Sequence, residues 1–219
     1  MTTVPPPDPP VPPVPRRSRT TRRRYWHRYP VRDNPPPGED LAALRAGLGR
    51  AAGTVPSLWQ HYTSPSDGEV TSELEAEHGA LSLYGLHQQG QSRPMHRTGT
   101  GVGAALRALR GSGKFSHDAL DRRVAAAVNA TTVPVLLYRL RGLIPQLRAQ
   151  SIPLDYDQLT RDLRSWSYPE SRQRVRRSWG LAYYTWEDDR PGAARTPAAP
   201  PAPDSASDSP ERARAQENP

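Results

Sequence analysis

The chain has 219 residues, with 26 prolines, one phenylalanine, no cysteine and a formal charge of +8. Without cysteine there is neither a disulfide framework nor a thiolate metal site, and no apolar run approaches the roughly 18–20 residues of a membrane span. A sequence pI near 10.3 favours polyanionic partners.

The charge is uneven. Residues 1–37 hold eight arginines and two acids (+6), residues 38–187 hold 18 basic and 14 acidic residues (+4), and residues 188–219 hold four arginines and six acids (−2). Arginine outnumbers lysine 29 to one, Lys114 being the only lysine. A genome rich in G and C accounts for that ratio, but not for where the arginines sit. The N-terminus lacks the apolar core of a secretory signal, so a cytoplasmic protein is expected.

Residues 1–37 are proline-rich, then arginine-rich, with twelve of the prolines. Such a segment builds no core and is expected to be disordered or locally polyproline II. Within it Pro12-Pro13-Val14-Pro15-Arg16-Arg17 fits a Pro-x-x-Pro-x-Arg ligand, a match of little weight in this composition. The following TTRRRYWHR offers cations to phosphate or lipid, or stands idle in solvent.

From residue 38 every segment has helical character. Leu41, Leu44 and Leu48 predict a short helix ending near Gly49, and VPSLWQHY (55–62) an apolar turn or helix. Ser66-Asp67-Gly68-Glu69 has the form of a capping box opening a helix through Val70, Leu74, Leu81 and Tyr84. Its end, ALSLYGLH, is apolar on several faces and predicts the central buried helix. After a polar loop, Val102, Ala105, Leu106 and Leu109 mark another helix, closed by Gly111.

Phe115 before Ser116 resembles a hydrophobic staple for a helix with the stripe Leu120, Val124 and Val128. Thr132 caps the next, whose apolar residues are Leu136, Leu137, Leu140, Ile144 and Leu147. Arg141 and Arg148 sit on one flank of that stripe and Arg139 on the other. Pro134 is tolerated in the first turn, and Pro145 should kink the helix or end it early. Asp155 caps a helix carrying Tyr156, Leu159, Leu163 and Trp166. The last helix begins around Pro169 and aligns Val175, Trp179, Tyr183 and Trp186. Residues 188–219 form a second low-complexity tail. The expected fold is therefore all-α: two small antiparallel helical bundles, 38–113 and 114–187, between disordered tails at 1–37 and 188–219.

Arginines recur at helical spacing: Arg107 and Arg110, Arg161 and Arg164, Arg172 and Arg176, Arg174 and Arg177, with Arg122 and Arg123 adjacent and off their stripe. Taken singly, each fits a solvated face partly neutralised by Asp118, Asp121 and Asp162. Together they fit a surface for polyanions, since guanidinium forks match phosphate oxygens. There is no helix-turn-helix signature and no zinc-finger spacing, and the aromatics fall on apolar stripes with no stacking platform for single strands. Backbone contact without sequence preference is the expected mode.

Parts for an enzyme are missing. Glu75-Ala76-Glu77-His78 contains one Glu-x-x-His, half of a di-iron motif. His87 and His96 have no carboxylate or cysteine at ligand spacing. RTGTGVG (97–103) follows no strand, lacks a phosphate-loop lysine and predicts a flexible connection. No metal and no cofactor are expected.

Four blocks resemble the CasB family, the small subunit of the type I-E CRISPR surveillance complex called Cascade. They are LAALRAGLGRAAGTVPSLWQHY (41–62), LSLYGLHQQ (81–89) with MHRTGTGVGAALRAL (95–109), LDRRVAAAVNATTVPVLLYRLRGLIPQLRAQSIPLDYDQLTRDLRSW (120–166) and PESRQRVRRSWGLAYY (169–184). None is a catalytic motif, so the likeness rests on their order and spacing.

The resemblance implies a non-catalytic, all-helical protein, two copies of which lie head to tail inside a complex with backbone and large subunits. There it would touch guide RNA and target DNA and hold the displaced strand, stabilising the R-loop in antiviral defence. By position, Arg45, Arg122, Arg123 and Arg141 match basic positions of the family. Charge and helix geometry add Arg50, Arg97, Arg107 and Arg139. The chain departs from the family in both tails and at Val124, where a larger aromatic is common. Two other readings compete: a stand-alone helical DNA-binding regulator, which predicts sequence-selective binding, and a pure assembly subunit using Trp59, Tyr84 or Trp179 in protein contacts.

Overall fold

Helices make up the regular structure in a computed structural model that describes residues 23–65 and 67–184. In chain order come a 3-10 turn, Tyr25–Arg28, then α1 (Gly38–Arg45), α2 (Pro56–Trp59), α3 (Ser72–Gln88), α4 (Val102–Gly111), α5 (His117–Val128), α6 (Val133–Ala149), α7 (Tyr156–Trp166) and α8 (Pro169–Tyr184). Among the described residues there is no strand beyond one isolated bridge, His96 to Leu154. Nor is any helix there long and apolar enough to cross a membrane.

The expected central helix is α3. Its residues Leu74, Ala76, Ala80, Leu81, Leu83 and Tyr84 are all buried, and α1, α6 and α7 pack around it. A helix apolar on all sides belongs in an interior. Its one buried carboxylate, Glu77, accepts from the Thr63 amide (2.8 Å), the Thr63 hydroxyl (2.5 Å) and the Ser64 amide (2.7 Å), which offsets its lost hydration. Elsewhere α4 and α7 lie against α8, and α5 against α6. At Gly103 a Cβ would stand 2.8 Å from that of Ala182, so glycine is what lets α4 and α8 approach this closely. One hydrophobic core, from Tyr25 to Tyr183, crosses the turn at 112–114 where the sequence divides.

Three expected caps are in place. Ser116 accepts from the Ala119 amide, Thr132 from Val135 and Asp155 from Gln158. The α3 cap differs: Thr71 accepts from Leu74, and Val70 lies outside the helix, exposed. Gly68, at φ +104°, takes the chain out of helical geometry just before it. Ser66 lies outside the described residues. Pro145 does not end α6, which runs on to Ala149 with Leu147 buried. The helix forgoes one backbone bond there, and Leu140, Leu143 and Ile144, buried beside it, keep its face in register.

The assignment of all of 1–37 to a disordered tail needs correction. Tyr25 and Trp26 are fully buried. The Trp26 ring sits 5.6 Å from Tyr156, 5.9 Å from Tyr84 and 6.0 Å from His96. Its indole N–H donates to Asp157, and the Tyr25 hydroxyl donates to Asp40. Two large rings bring burial that the surrounding prolines and arginines cannot, about 150–250 Å² each. The segments 1–22 and 188–219, the Pro12–Arg17 motif and Trp186 lie outside the described residues.

Candidate nucleic-acid interface

Helices α5 and α6 each bury one stripe. On α5, Leu120, Val124 and Ala127 face the core; on α6, Leu136, Leu140, Leu143, Ile144 and Leu147 do. Helical spacing then puts Arg122, Arg123, Tyr138, Arg139 and Arg141 outward, and all five are exposed. They line a groove of about 680 Å³ whose walls also include Ala119, Ala126 and Gly142. Small residues between the arginines leave the trough open.

Among the described residues, no carboxylate lies within ion-pair distance of Arg122, Arg123, Arg139 or Arg141. Two of the three acids expected to neutralise the arginines, Asp121 and Asp162, are engaged elsewhere, while Asp118 is exposed on α5. Asp121 receives Arg110 (3.0 Å) and the Tyr183 hydroxyl (2.5 Å). The Arg110 guanidinium, helped by Tyr183, holds its carboxyl below the usual carboxylate range. Asp162 is buried and accepts from the Trp179 indole and the Gln158 amide, both at 2.7 Å. Burial raises its pKa against those two bonds.

Beside the groove lies a cleft of about 440 Å³ between the turn after α1, α3 and the first turns of α6, with Tyr138 and Arg141 common to both hollows. Arg50 stands on its wall. A Cβ on Gly49 would meet Arg141 Nη1 at 3.8 Å, so that guanidinium reaches across toward the turn. Five of the eight expected arginines therefore gather here: Arg50, Arg122, Arg123, Arg139 and Arg141. The other three line neither hollow. Arg45 ends α1 and Arg107 lies on α4. Arg97 lies in the loop before α4, its Nε donating to Thr100. Arg148, which shares a flank with Arg141 in sequence, turns inward to the Leu86 carbonyl and Gln89.

Tyr138 is what sequence reasoning missed. It is 70% exposed and carries the Arg139 guanidinium 5.7 Å from its ring centre, so the aromatics do not all serve as core. Trp59, Tyr168 and Tyr184 are exposed as well. The signal was available: Tyr138 is two residues from both Leu136 and Leu140, which on a helix is the far side. Tyr84 and Trp179, by contrast, are buried and have no surface for protein contacts.

His96 also departs from expectation. It has no carboxylate near in sequence, yet in space its Nε2 is 3.8 Å from Asp157, and His27 Nε2 is 2.7 Å from the same carboxylate. The ligand atoms of His27, His96 and Asp157 lie within 4.8 Å of one another. The same carboxylate carries the Trp26 indole and, at 3.7 Å, the Arg24 guanidinium. A cation beside it suits a clasp that ties the Tyr25–Arg28 turn to α7. His78, of the Glu-x-x-His, is bonded through Nε2 to the Gly47 carbonyl and through Nδ1 to the Tyr62 hydroxyl. The glycine-rich loop is pinned, not free: the Gly99 amide donates to Asp155, and the Asp155 amide to the Thr100 carbonyl.

The chain matches the family model for CRISPR-associated protein Cse2 over residues 40–184. It is similar to the crystal structure of CasB from Thermobifida fusca, at 32% identity and a TM-score of 0.58, covering 70% of this chain and 88% of that one. CasB from M. ruber shares the fold at 23% identity and a TM-score of 0.55, over 73% and 90% of the two chains. So does a CRISPR-associated protein of the Cse2 family from Thermus thermophilus, at 24% and 0.52, over 66% and 85%. No curated protein matches the chain.

Proposed function

The chain belongs to the CRISPR-associated Cse2 (CasB) family, and on that footing we propose that it serves as a non-catalytic subunit of a type I-E Cascade complex, gripping nucleic-acid backbone without reading sequence. Its partners in this role are guide RNA, target DNA and the displaced strand, together with the backbone and large subunits and a second copy of itself. Holding the displaced strand disfavours re-annealing and so stabilises the R-loop.

What supports this is the α5–α6 groove: four exposed arginines, none with a carboxylate partner among the described residues. Guanidinium groups left without internal partners are available to phosphate oxygens. Small side chains between them offer no donor and acceptor pattern with which to read bases.

The test is a combined Arg122→Glu, Arg123→Glu, Arg141→Glu variant. Its helicity by circular dichroism should match the parent. Its affinity for target DNA should fall, and the slope of log K against log salt should flatten by roughly 0.9 for each phosphate no longer neutralised. An unchanged slope would remove these residues from the interface. Tight, sequence-selective binding by the isolated chain would instead favour a stand-alone regulator. Crosslinks from Arg123 and Arg141 to protein alone would favour a pure assembly subunit.

A further inference from the structure

The cleft beside the groove differs in character from the groove. Leu48, Leu83, Val133, Pro134 and Leu137 give it apolar walls. The polar groups at its base already have partners: His78 is bonded through both ring nitrogens, and the Ser82 hydroxyl donates to the His78 carbonyl. Such a surface presents faces and few directional donors. At its edge stand the Tyr138 ring, which the core does not use, and Arg141, which the two hollows share. With Arg50 and Arg141 on the wall against one carboxylate, Glu75, the apolar, aromatic-edged hollow fits one kind of occupant, a flat ring with π-faces tethered to a phosphate.

We propose that this cleft receives an unpaired nucleobase, turned out of a single strand whose phosphates follow the arginine groove, with Tyr138 as its stacking partner. The proposal rests on the backbone-gripping reading and deepens it. A cleft of about 440 Å³ falls within the range that buries small organic ligands, which is room for a base and part of its sugar. Duplex DNA cannot use it, because its bases are stacked and paired. Any base can, because every base has a π-face. The site therefore separates single strands from duplexes and leaves sequence unread.

The experiment uses the full chain at low salt and fluorescence anisotropy with two labelled oligonucleotides of equal length, one of mixed sequence and one whose central nucleotides are abasic. The parent should bind the base-containing strand about tenfold more tightly, as one stacking contact implies. Tyr138→Ala should bring that strand down to the abasic level and leave the abasic strand unchanged. Tyr138→Phe should restore the difference, since the ring and not the hydroxyl stacks. The ring is exposed, so both variants should keep the parent's circular dichroism. Equal binding of the two strands by the parent, or an equal loss on both with Tyr138→Ala, overturns the base cleft while the groove stands. An Arg122→Glu, Arg123→Glu chain that holds the abasic strand as well as the parent does overturns the groove itself.

Discussion

The α5–α6 groove and the seam where α8 meets the end of α5 both carry arginine and put it to opposite uses. On α8, Arg176 donates to the Ala130 carbonyl at 2.6 Å and lies 5.6 Å from the Trp166 ring centre, while Arg172 bonds the Thr131 carbonyl. On α7, Arg161 donates to Gln158 one turn away. Arg172 and Arg176 close the end of α5 and hold α8 in place. On α5 and α6, Arg122, Arg123, Arg139 and Arg141 project over small residues toward solvent. Composition cannot separate Arg172 and Arg176 from Arg122, Arg123, Arg139 and Arg141; what separates them is whether a carbonyl of another element stands within reach. Mutations on one face should therefore change stability and leave nucleic-acid binding alone, and mutations on the other should do the reverse.

The largest effect is expected on the engaged face. Asp162→Ala removes the acceptor of the Trp179 indole and leaves a buried N–H without a partner, a loss of about 2 kcal/mol. Urea denaturation should record it, and binding measured well below the new midpoint should stay within twofold of the parent. A weakened binder of unchanged stability would erase the contrast.

On the outward face the contrast can be undone by giving the groove the carboxylate it lacks. Gly142 lines the trough, and a Cβ there meets nothing within 4 Å. Gly142→Glu should fold at least as well, since glycine is the poorer helix former. Its carboxylate should pair with neighbouring guanidinium groups and repel phosphate, lowering affinity about tenfold, or 1.4 kcal/mol. Gly142→Gln, of the same size and uncharged, should recover most of that loss. A glutamine variant that binds as poorly as the glutamate would make bulk, not charge, the cause.

Acid separates the faces a third way. His87 is buried, and burial drives its pKa down to about 3 from the ordinary 6.5. Below pH 6.5 the unfolded chain takes up a proton that the folded chain refuses. Its contribution is thus intact above pH 6.5 and is lost as pH falls toward 3, at about 1 kcal/mol per pH unit. His61, His78 and His96 are shifted the same way by burial and add to the slope. Asp162, shifted upward, opposes it: that penalty eases as acid protonates the folded carboxyl. His87→Leu should be nearly neutral at pH 7, because the Tyr156 hydroxyl, 3.0 Å from His87 Nδ1, keeps its own acceptor in the Leu83 carbonyl. Denaturation midpoints at pH 7 and pH 5 should lie closer together in this variant than in the parent.

Most helices were legible because their signals are local. The caps at Ser116, Thr132 and Asp155 and the stripes they open need only residues within a turn or two of one another. The misplaced start of α3 was a local error as well, in which a four-residue pattern outweighed the glycine inside it. What could not be read is what depends on distance in the chain. Trp26 is held by Asp157, 131 residues away, and His96 meets that same carboxylate. Nothing near Trp26 announces a partner, and its neighbours argue for a tail. The site falls between these cases. Helical arithmetic placed Arg122, Arg123, Arg139 and Arg141 off their stripes correctly, but it could not tell that Arg148 turns inward, since that depends on the Leu86 carbonyl across from it.

The smallest expected effect discriminates most sharply among the arginines themselves. Arg97 and Arg123 are both exposed, and charge alone gives them equal standing. Arg97 lies in the loop before α4, its Nε bonded to Thr100 and its amide to the Leu154 carbonyl, and it lines neither the groove nor the cleft. If phosphates follow the groove, Arg97→Ala should shift affinity by less than twofold and leave the salt slope as it was, whereas Arg123→Ala should lower that slope by roughly 0.9. The comparison needs the same strand and the same salt series for both variants, because a diffuse cationic field would weaken both about equally. An equal drop in slope at the two positions would mean that the chain attracts nucleic acid by net charge, with no track on its surface.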